Sequence, residues 1–174
     1  KKGMSGLITG YGKFIVITDN GQGAVTNNGK ITVSGEIEQY AMKDGWICIS
    51  TKDMSVGVYN KTLFVYNIQL KDEVTCLDIA PSFDLVAIGT KSSNILLVSL
   101  FSGSINHKLG MSAIPKKILI SPNWGFVLAL CLAGADCILL LYTVNGSFMT
   151  SIPFSSSIDA WCLFTSREGF DYAA

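Results

Sequence analysis

The stretch VTCLDIAPSFDLVAIGTKSSNILLVSLFSG, from Val74 to Gly103, reads as three strands cut by two turns. Val74 to Ala80 ends at Pro81-Ser82-Phe83-Asp84, Leu85 to Thr90 ends at Lys91-Ser92-Ser93, and Asn94 to Leu100 stops at Ser102-Gly103. Proline and glycine punctuate the run because one fixes φ and removes a donor, while the other accepts positive φ. About forty residues on, the phrase returns as KKILISPNWGFVLAL, a Gly-Ala-Asp break, CILLLYTV and Asn145-Gly146, with Ser121-Pro122 in place of Ala80-Pro81. A period near forty with four short strands per unit predicts a β-propeller.

The repeat continues more faintly in both directions. Upstream, Lys43-Asp44-Gly45-Trp46 opens a strand from Trp46 to Ser50, and Tyr11-Gly12-Lys13-Phe14 opens one from Ile15 to Thr18. Downstream, Trp161-Cys162-Leu163-Phe164 and Arg167-Glu168-Gly169-Phe170 begin a further unit that breaks off at Ala174. The expected fold is all-β, with approximate blades over 6–36, 37–73, 74–113 and 114–157 and an incomplete one over 158–174. Propellers close with four to eight blades, so about four and part of a fifth reads as a fragment of a larger propeller. The turn and repeat positions carrying this reading are Asp53, Pro81, Gly89, Ser92, Gly103, Pro122, Trp124 and Gly146.

Composition agrees. Hydrophobic residues make up 49% and charged residues 15%, apolar for a soluble domain. A blade covered on both faces loses the polar alternation of a half-exposed sheet, and Ile95-Leu96-Leu97-Val98 and Ile138-Leu139-Leu140-Leu141 are continuous apolar runs of that kind. The expected core comprises Ile79, Ile88, Val98, Ile120, Leu128 and Leu140. Phe126 to Tyr142 is apolar enough to resemble a membrane span, but Gly134, Ala135 and Asp136 divide it. A central Asp costs about 2.5–3.5 kcal/mol on insertion scales, whereas two strands joined by a turn explain the same letters without that penalty.

Thirteen Lys plus Arg balance thirteen Asp plus Glu, with no basic stripe, so nucleic acid is not an expected partner. Cys48, Cys76, Cys131, Cys137 and Cys162 each sit in a strand-like apolar run and read as buried, reduced thiols. Cys131 and Cys137 flank the Gly-Ala-Asp turn, which makes them the pair that a minor cross-strand redox reading would use. No CxxC exists and His107 is the sole histidine, so no zinc spacing is present and no metal is expected. His107 is placed on an outer strand with its ring partly exposed. No GxSxG frame supports it as a base, Gly10-Tyr11-Gly12 lacks the third glycine of a dinucleotide loop, and no phosphate-cradling GxxxxGK[ST] occurs. Asn60-Lys61-Thr62 and Asn145-Gly146-Ser147 fit the glycosylation pattern but fall where the repeat needs turns. No cofactor is expected.

The phrase of strand, Ser-Pro turn, strand, Gly-Thr-x-x, strand and closing Gly resembles the WD-repeat. More narrowly, the run from Val74 to Tyr172 resembles the propeller that follows the BEACH domain in beige and neurobeachin-type proteins. That likeness is carried by Val74 to Ile79, Ile88-Gly89-Thr90-Lys91-Ser92-Ser93, Lys117 to Pro122 with Trp124-Gly125, and Gly169-Phe170-Asp171-Tyr172. It covers a little over half of the chain. The closing Trp-Asp of the WD-repeat is replaced by Tyr66-Asn67, Ser99-Leu100 and Tyr142-Thr143, and no Gly-His pair occurs. Asp53 matches the family's turn aspartate in one unit and Ser92 stands there in the next, so the buried hydrogen-bond network is absent or rebuilt and cohesion leans on apolar packing.

The resemblance implies a non-catalytic protein-interaction scaffold, part of a BEACH-type protein acting in vesicle traffic and membrane dynamics. It would be cytoplasmic, with unidentified protein partners, and would meet membranes only indirectly through the rest of the scaffold. A second reading is a WD-repeat scaffold of an unrelated complex. A third, a propeller hydrolase or lyase, needs Asp, His or Arg clustered at the central channel, and His107 and Arg167 are the only residues of their types. Four blades and a piece would leave an apolar face at each end. These 174 residues alone are therefore expected to self-associate, and a monodisperse monomer in light scattering would contradict that.

Overall fold

The apolar runs in the middle of the chain become strands buried on both faces because a sheet set between two others is covered on each side. A computed structural model describes residues 5–9, 13–17, 23–26, 29–134, 136–155, 158, 162–166 and 171–173. The first sheet comprises β1 (Ser5–Thr9), β2 (Lys13–Ile17), β3 (Gly23–Thr26) and β4 (Gly29–Thr32). The second comprises β5 (Ile37–Lys43), β6 (Trp46–Thr51), β7 (Ser55–Asn60) and β8 (Leu63–Gln69). The third holds β9 (Val74–Ala80), β10 (Leu85–Thr90), β11 (Asn94–Ser99) and β12 (Ile105–Gly110). The fourth holds β13 (Ile114–Ile120), β14 (Phe126–Ala133), β15 (Asp136–Thr143) and β16 (Phe148–Phe154), and a hairpin follows, β17 (Leu163–Thr165) with β18 (Asp171–Ala173). Each sheet is an antiparallel meander in sequence order. Successive four-stranded meanders packed face to face are the blades of a β-propeller, here a partial one. Among the described residues the only helical element is a 3₁₀ turn at Pro81–Phe83.

First strands lie innermost, since β9 packs against β5 on one side and β13 on the other. Middle strands are the driest: every residue of β10 is buried, as are all of β6 and β11 after their first. Outer strands face water, and β12 has a single residue below full exposure. The faces interleave in three layers. Ile31 and Val33 meet Ile47, Ile49 and Tyr59; Val56 and Val58 meet Ile79, Val86, Ile88 and Val98; Ile95 and Leu97 meet Ile118, Ile120, Val127 and Ala129. All six expected core residues are buried, Leu128 on the far face of the fourth sheet.

The span-like stretch is the hairpin of β14 and β15, closed where Ala133 pairs with Asp136. No helix among the described residues is long and apolar enough to cross a membrane. The turn at Gly10-Tyr11-Gly12, Trp161, and Arg167 to Phe170 lie outside the described residues.

Candidate functional site

Because strands alternate in direction, the turns after first and third strands emerge on one side of the sheets and those after second and fourth strands on the other. On the first side Pro81 opens the 3₁₀ turn, and Asp84 ends it in the left-handed region with φ 50°. The Asp84 carboxylate accepts from Ser99 Oγ at 2.8 Å and from Phe101 N at 2.8 Å, while its carbonyl accepts from Leu100 N at 3.1 Å. One aspartate thus ties both turns of the third sheet. Against them packs Tyr66 of β8, whose hydroxyl lies 2.6 Å from Leu100 O and 3.1 Å from Ser99 O. Gly103, at φ 74°, is required here: a Cβ would stand 2.9 Å from the Tyr66 ring. One sheet on, His107, exposed on β12, lies against Gly146 in the same way, 3.1 Å from where its Cβ would be.

Pro122 and Trp124 lie in the turn between β13 and β14, which β18 caps. The Asp171 carboxylate accepts from Ser121 Oγ at 2.6 Å, Asn123 N at 2.9 Å and Trp124 N at 3.3 Å. Trp124 itself remains 54% exposed. Phe101 is exposed on the same side and meets Trp46 with ring centroids 5.5 Å apart.

On the opposite side the turn network is rebuilt. The Asp53 carboxylate accepts from the Thr51 and Ser55 hydroxyls, and these bonds, Thr51's foremost, hold its carboxyl below the ordinary range. In the third sheet Ser92 occupies that place, and the carboxylate arrives from the preceding loop: Asp72 accepts from Ser92 N at 2.6 Å and Glu73 N at 3.0 Å. Burial acts to raise the Asp72 carboxyl, but these donors bring it down. The ion pairs Lys52–Glu36 and Lys91–Glu73, each 2.8 Å, recur beside the two turns; both are well exposed and add little.

Gly89 is the next-to-last residue of β10, where the third sheet meets the fourth. A Cβ there would stand 2.6 Å from Cys76 Sγ and 2.9 Å from Pro115 Cγ.

The axial strands hold a carboxylate that composition did not reveal. Asp78 of β9 reaches across to β13 and accepts from Ile120 N at 2.7 Å. Burial pushes its carboxyl up to about 6, against the pull of the Ile120 and Ile79 N–H groups and of Lys43 and Lys117. The native state therefore holds this proton more tightly than the unfolded chain between about pH 4 and 6, and the group's contribution to stability is fully present below that window and lost as pH rises through it. Asp78→Asn keeps an acceptor for Ile120 N without the buried charge. The expected result is a gain of about 2 kcal/mol at pH 7, less than the full shift allows because Asp78 keeps some solvent contact. The gain should vanish below about pH 4. Urea unfolding of both proteins across pH checks it, and a destabilised variant at pH 7 would contradict it.

Cys48, Cys76, Cys131 and Cys137 are buried free thiols; Cys162, expected buried, is exposed. Burial pushes the Cys76 thiol up to about 12 and Cys131 up to about 11, which keeps both as poor nucleophiles. The cross-strand redox reading fails on register. Cys131 pairs with Ile138 and Cys137 with Leu132, so the two thiols occupy opposite faces of their sheet, Cys131 toward the third sheet and Cys137 away from it. Among the described residues no three His, Cys, Asp or Glu side chains gather as metal ligands.

Two grooves open at successive sheet boundaries. The first, about 330 Å³, is bordered by Thr32 to Ser34 and the outer half of the second sheet, including Gly57, Tyr59, Phe64 and Asn67. The second, about 350 Å³, is bordered by Gln69 to Asp72 and the corresponding part of the third sheet, including Leu96, Ile105 and Lys108. They are the same feature one repeat apart.

No protein-family model matches this chain, and no curated protein sequence does. Its likeness is to solved structures. Kuenenia stuttgartiensis hydrazine synthase superposes with a TM-score of 0.73 at 12% identity, over 91% of this chain and 50% of that one. Saccharomyces cerevisiae Sqt1 gives 0.71 at 13% identity over 99% and 55%, and BamB from Moraxella catarrhalis 0.56 at 16% over 66% and 34%. The chain spans about half the length of the first two. At such identities the likeness is one of fold, and it places the chain among β-propellers. One of these neighbours is by name an enzyme, so the fold leaves chemistry to the site.

Proposed function

We propose that this propeller is a non-catalytic scaffold that binds proteins through its rim and turn-bearing surfaces. The observation carrying the reading is a row of large apolar side chains left in water at matching places on successive outer strands: Phe64 is 61% exposed, Ile105 53% and Phe148 57%. Phe101 and Trp124 extend it onto the turns. Exposed apolar surface held on rigid sheets is what a docking face needs, because little ordering entropy opposes binding. The narrower reading, a BEACH-type scaffold of vesicle traffic and membrane dynamics at work in the cytoplasm, rests on the residue match between Val74 and Tyr172. The coding sequence immediately upstream tests that narrower reading, and lack of a BEACH domain there would remove it.

The broader reading is tested with a photo-crosslinking amino acid at Phe101 or Trp124 in the protein's native sequence context. Reproducible adducts with the same proteins, weakened by Trp124→Ser, are the expected result. Adducts confined to the chain itself, or none, would overturn it.

A further inference from the structure

We infer that the free edge of β8 takes an extended peptide as an added strand, seating one large uncharged side chain of that peptide in the groove beside it. The inference rests on the protein-binding reading above and names the site and the chemistry of the partner. β8 ends its sheet, so among the described residues one edge of its backbone is unpaired, a template for another strand. Proteins ordinarily blunt such edges with charge or proline, and β12 carries His107 and Lys108 while β16 carries Pro153. β8 reads LFVYNIQ and has neither. Instead Leu63, Phe64 and Val65 are 75%, 61% and 42% exposed, three consecutive large apolar residues on an open edge.

The groove supplies the second, independent observation. Phe64 pairs with Tyr59 and Asn67 with Gly57, so all four share the face that lines it. Tyr59 is only 6% exposed, and its hydroxyl lies 3.0 Å from where a Cβ on Gly57 would stand. Asn67 and Ser34, both exposed, bring an amide and a hydroxyl to the mouth of the groove. One repeat on, Leu96 stands where Gly57 is and Lys108 where Asn67 is. Of the two grooves, the one on the second sheet therefore combines an uncharged lining with a floor opened by glycine. The Tyr59 and Phe64 rings, 5.7 Å apart at 69°, present an edge and a face to an entering side chain. About 330 Å³ holds one such side chain and not a folded domain. Main-chain pairing would give affinity and the groove specificity, the division of labour of strand addition.

The test uses the full chain and capped nonapeptides of alternating Thr and Val between terminal lysines, with Phe, Tyr, Trp, Leu or Ala at the centre. The expected result is binding of at least one large-centre peptide with amide shifts at residues 63–67. Binding at least tenfold weaker is expected for the Ala-centred peptide, and for the best binder N-methylated at alternate residues. Val65→Lys, at an exposed position, should weaken binding as strongly while melting stays unchanged. Gly57→Leu should cost the large-centre peptides their advantage over Ala. The inference is overturned if no peptide binds below about 1 mM, if N-methylation has no effect, or if the shifts cluster at Phe101 and Trp124. Photo-crosslinked partners that persist unchanged in Val65→Lys would sink the strand site and leave the scaffold reading standing. Loss of every protein adduct at Phe101 and Trp124, with peptide binding intact, would do the reverse.

Discussion

Ile88→Ala should cost about 4 kcal/mol, a large share of the stability of a domain this size. Ile88 is fully buried in β10, paired with Leu77 on β9 and Leu96 on β11, and packed against Val56, Val58 and Val98. Truncation removes transfer free energy and also leaves a cavity between the second and third sheets. The second term is large here because both ladders flanking β10 hold the walls apart. Ile88→Val, which removes one methylene, should cost about 1 kcal/mol. Equilibrium urea unfolding with an unchanged m-value checks both. A loss below about half a kcal/mol for the alanine variant would mean that this layer is not close-packed.

Replacing Gly89 with Val should cost about 3 kcal/mol for the opposite reason. Its φ is not in the left-handed region, so backbone strain plays no part. The obstacle is space: besides Cys76 Sγ and Pro115 Cγ, the new Cβ would meet Ile118 Cδ1 at 3.2 Å. The proline ring is stiff and Cys76 Sγ is itself directed at Pro115 O, 3.5 Å away, so relief requires the third and fourth sheets to separate. The higher strand propensity of valine offsets at most about 1 kcal/mol. Gly89→Ala should fall in between, and adding Cys76→Gly should restore part of its loss, a coupling that a double-mutant cycle reads directly. Additive costs in that cycle would show that the two side chains do not compete.

Much of this architecture was legible along the chain. The strands expected over Val74 to Ala80 and Leu85 to Thr90 are β9 and β10. The third was expected to run through Leu100 but stops at Ser99, because Asp84 takes the next two N–H groups for the turn. The turn aspartate was matched by Asp53 in one unit and replaced by Ser92 in the next, and the structure shows how the second is rebuilt: Asp53 supplies its carboxylate locally, whereas Asp72 supplies one to Ser92 from a loop beyond the preceding strand. Cys131 and Cys137 looked like neighbours because they flank one turn, and strand register put them on opposite faces.

Period, turn chemistry and apolar runs are local properties, each complete within a few residues, so the sequence alone determines the strand pattern of the repeated units and the six core residues Ile79, Ile88, Val98, Ile120, Leu128 and Leu140. The pairings that join one blade to the next are of another kind. Tyr66 against Gly103, Asp78 to Ile120 N, Asp171 to Ser121 and Gly89 against Pro115 each link residues of different sheets. No spacing rule marks them, because they follow from the distance and rotation between rigid sheets. The groove at Gly57 and Tyr59 belongs with these: a missing side chain becomes a cavity only when the neighbouring blade is set beside it.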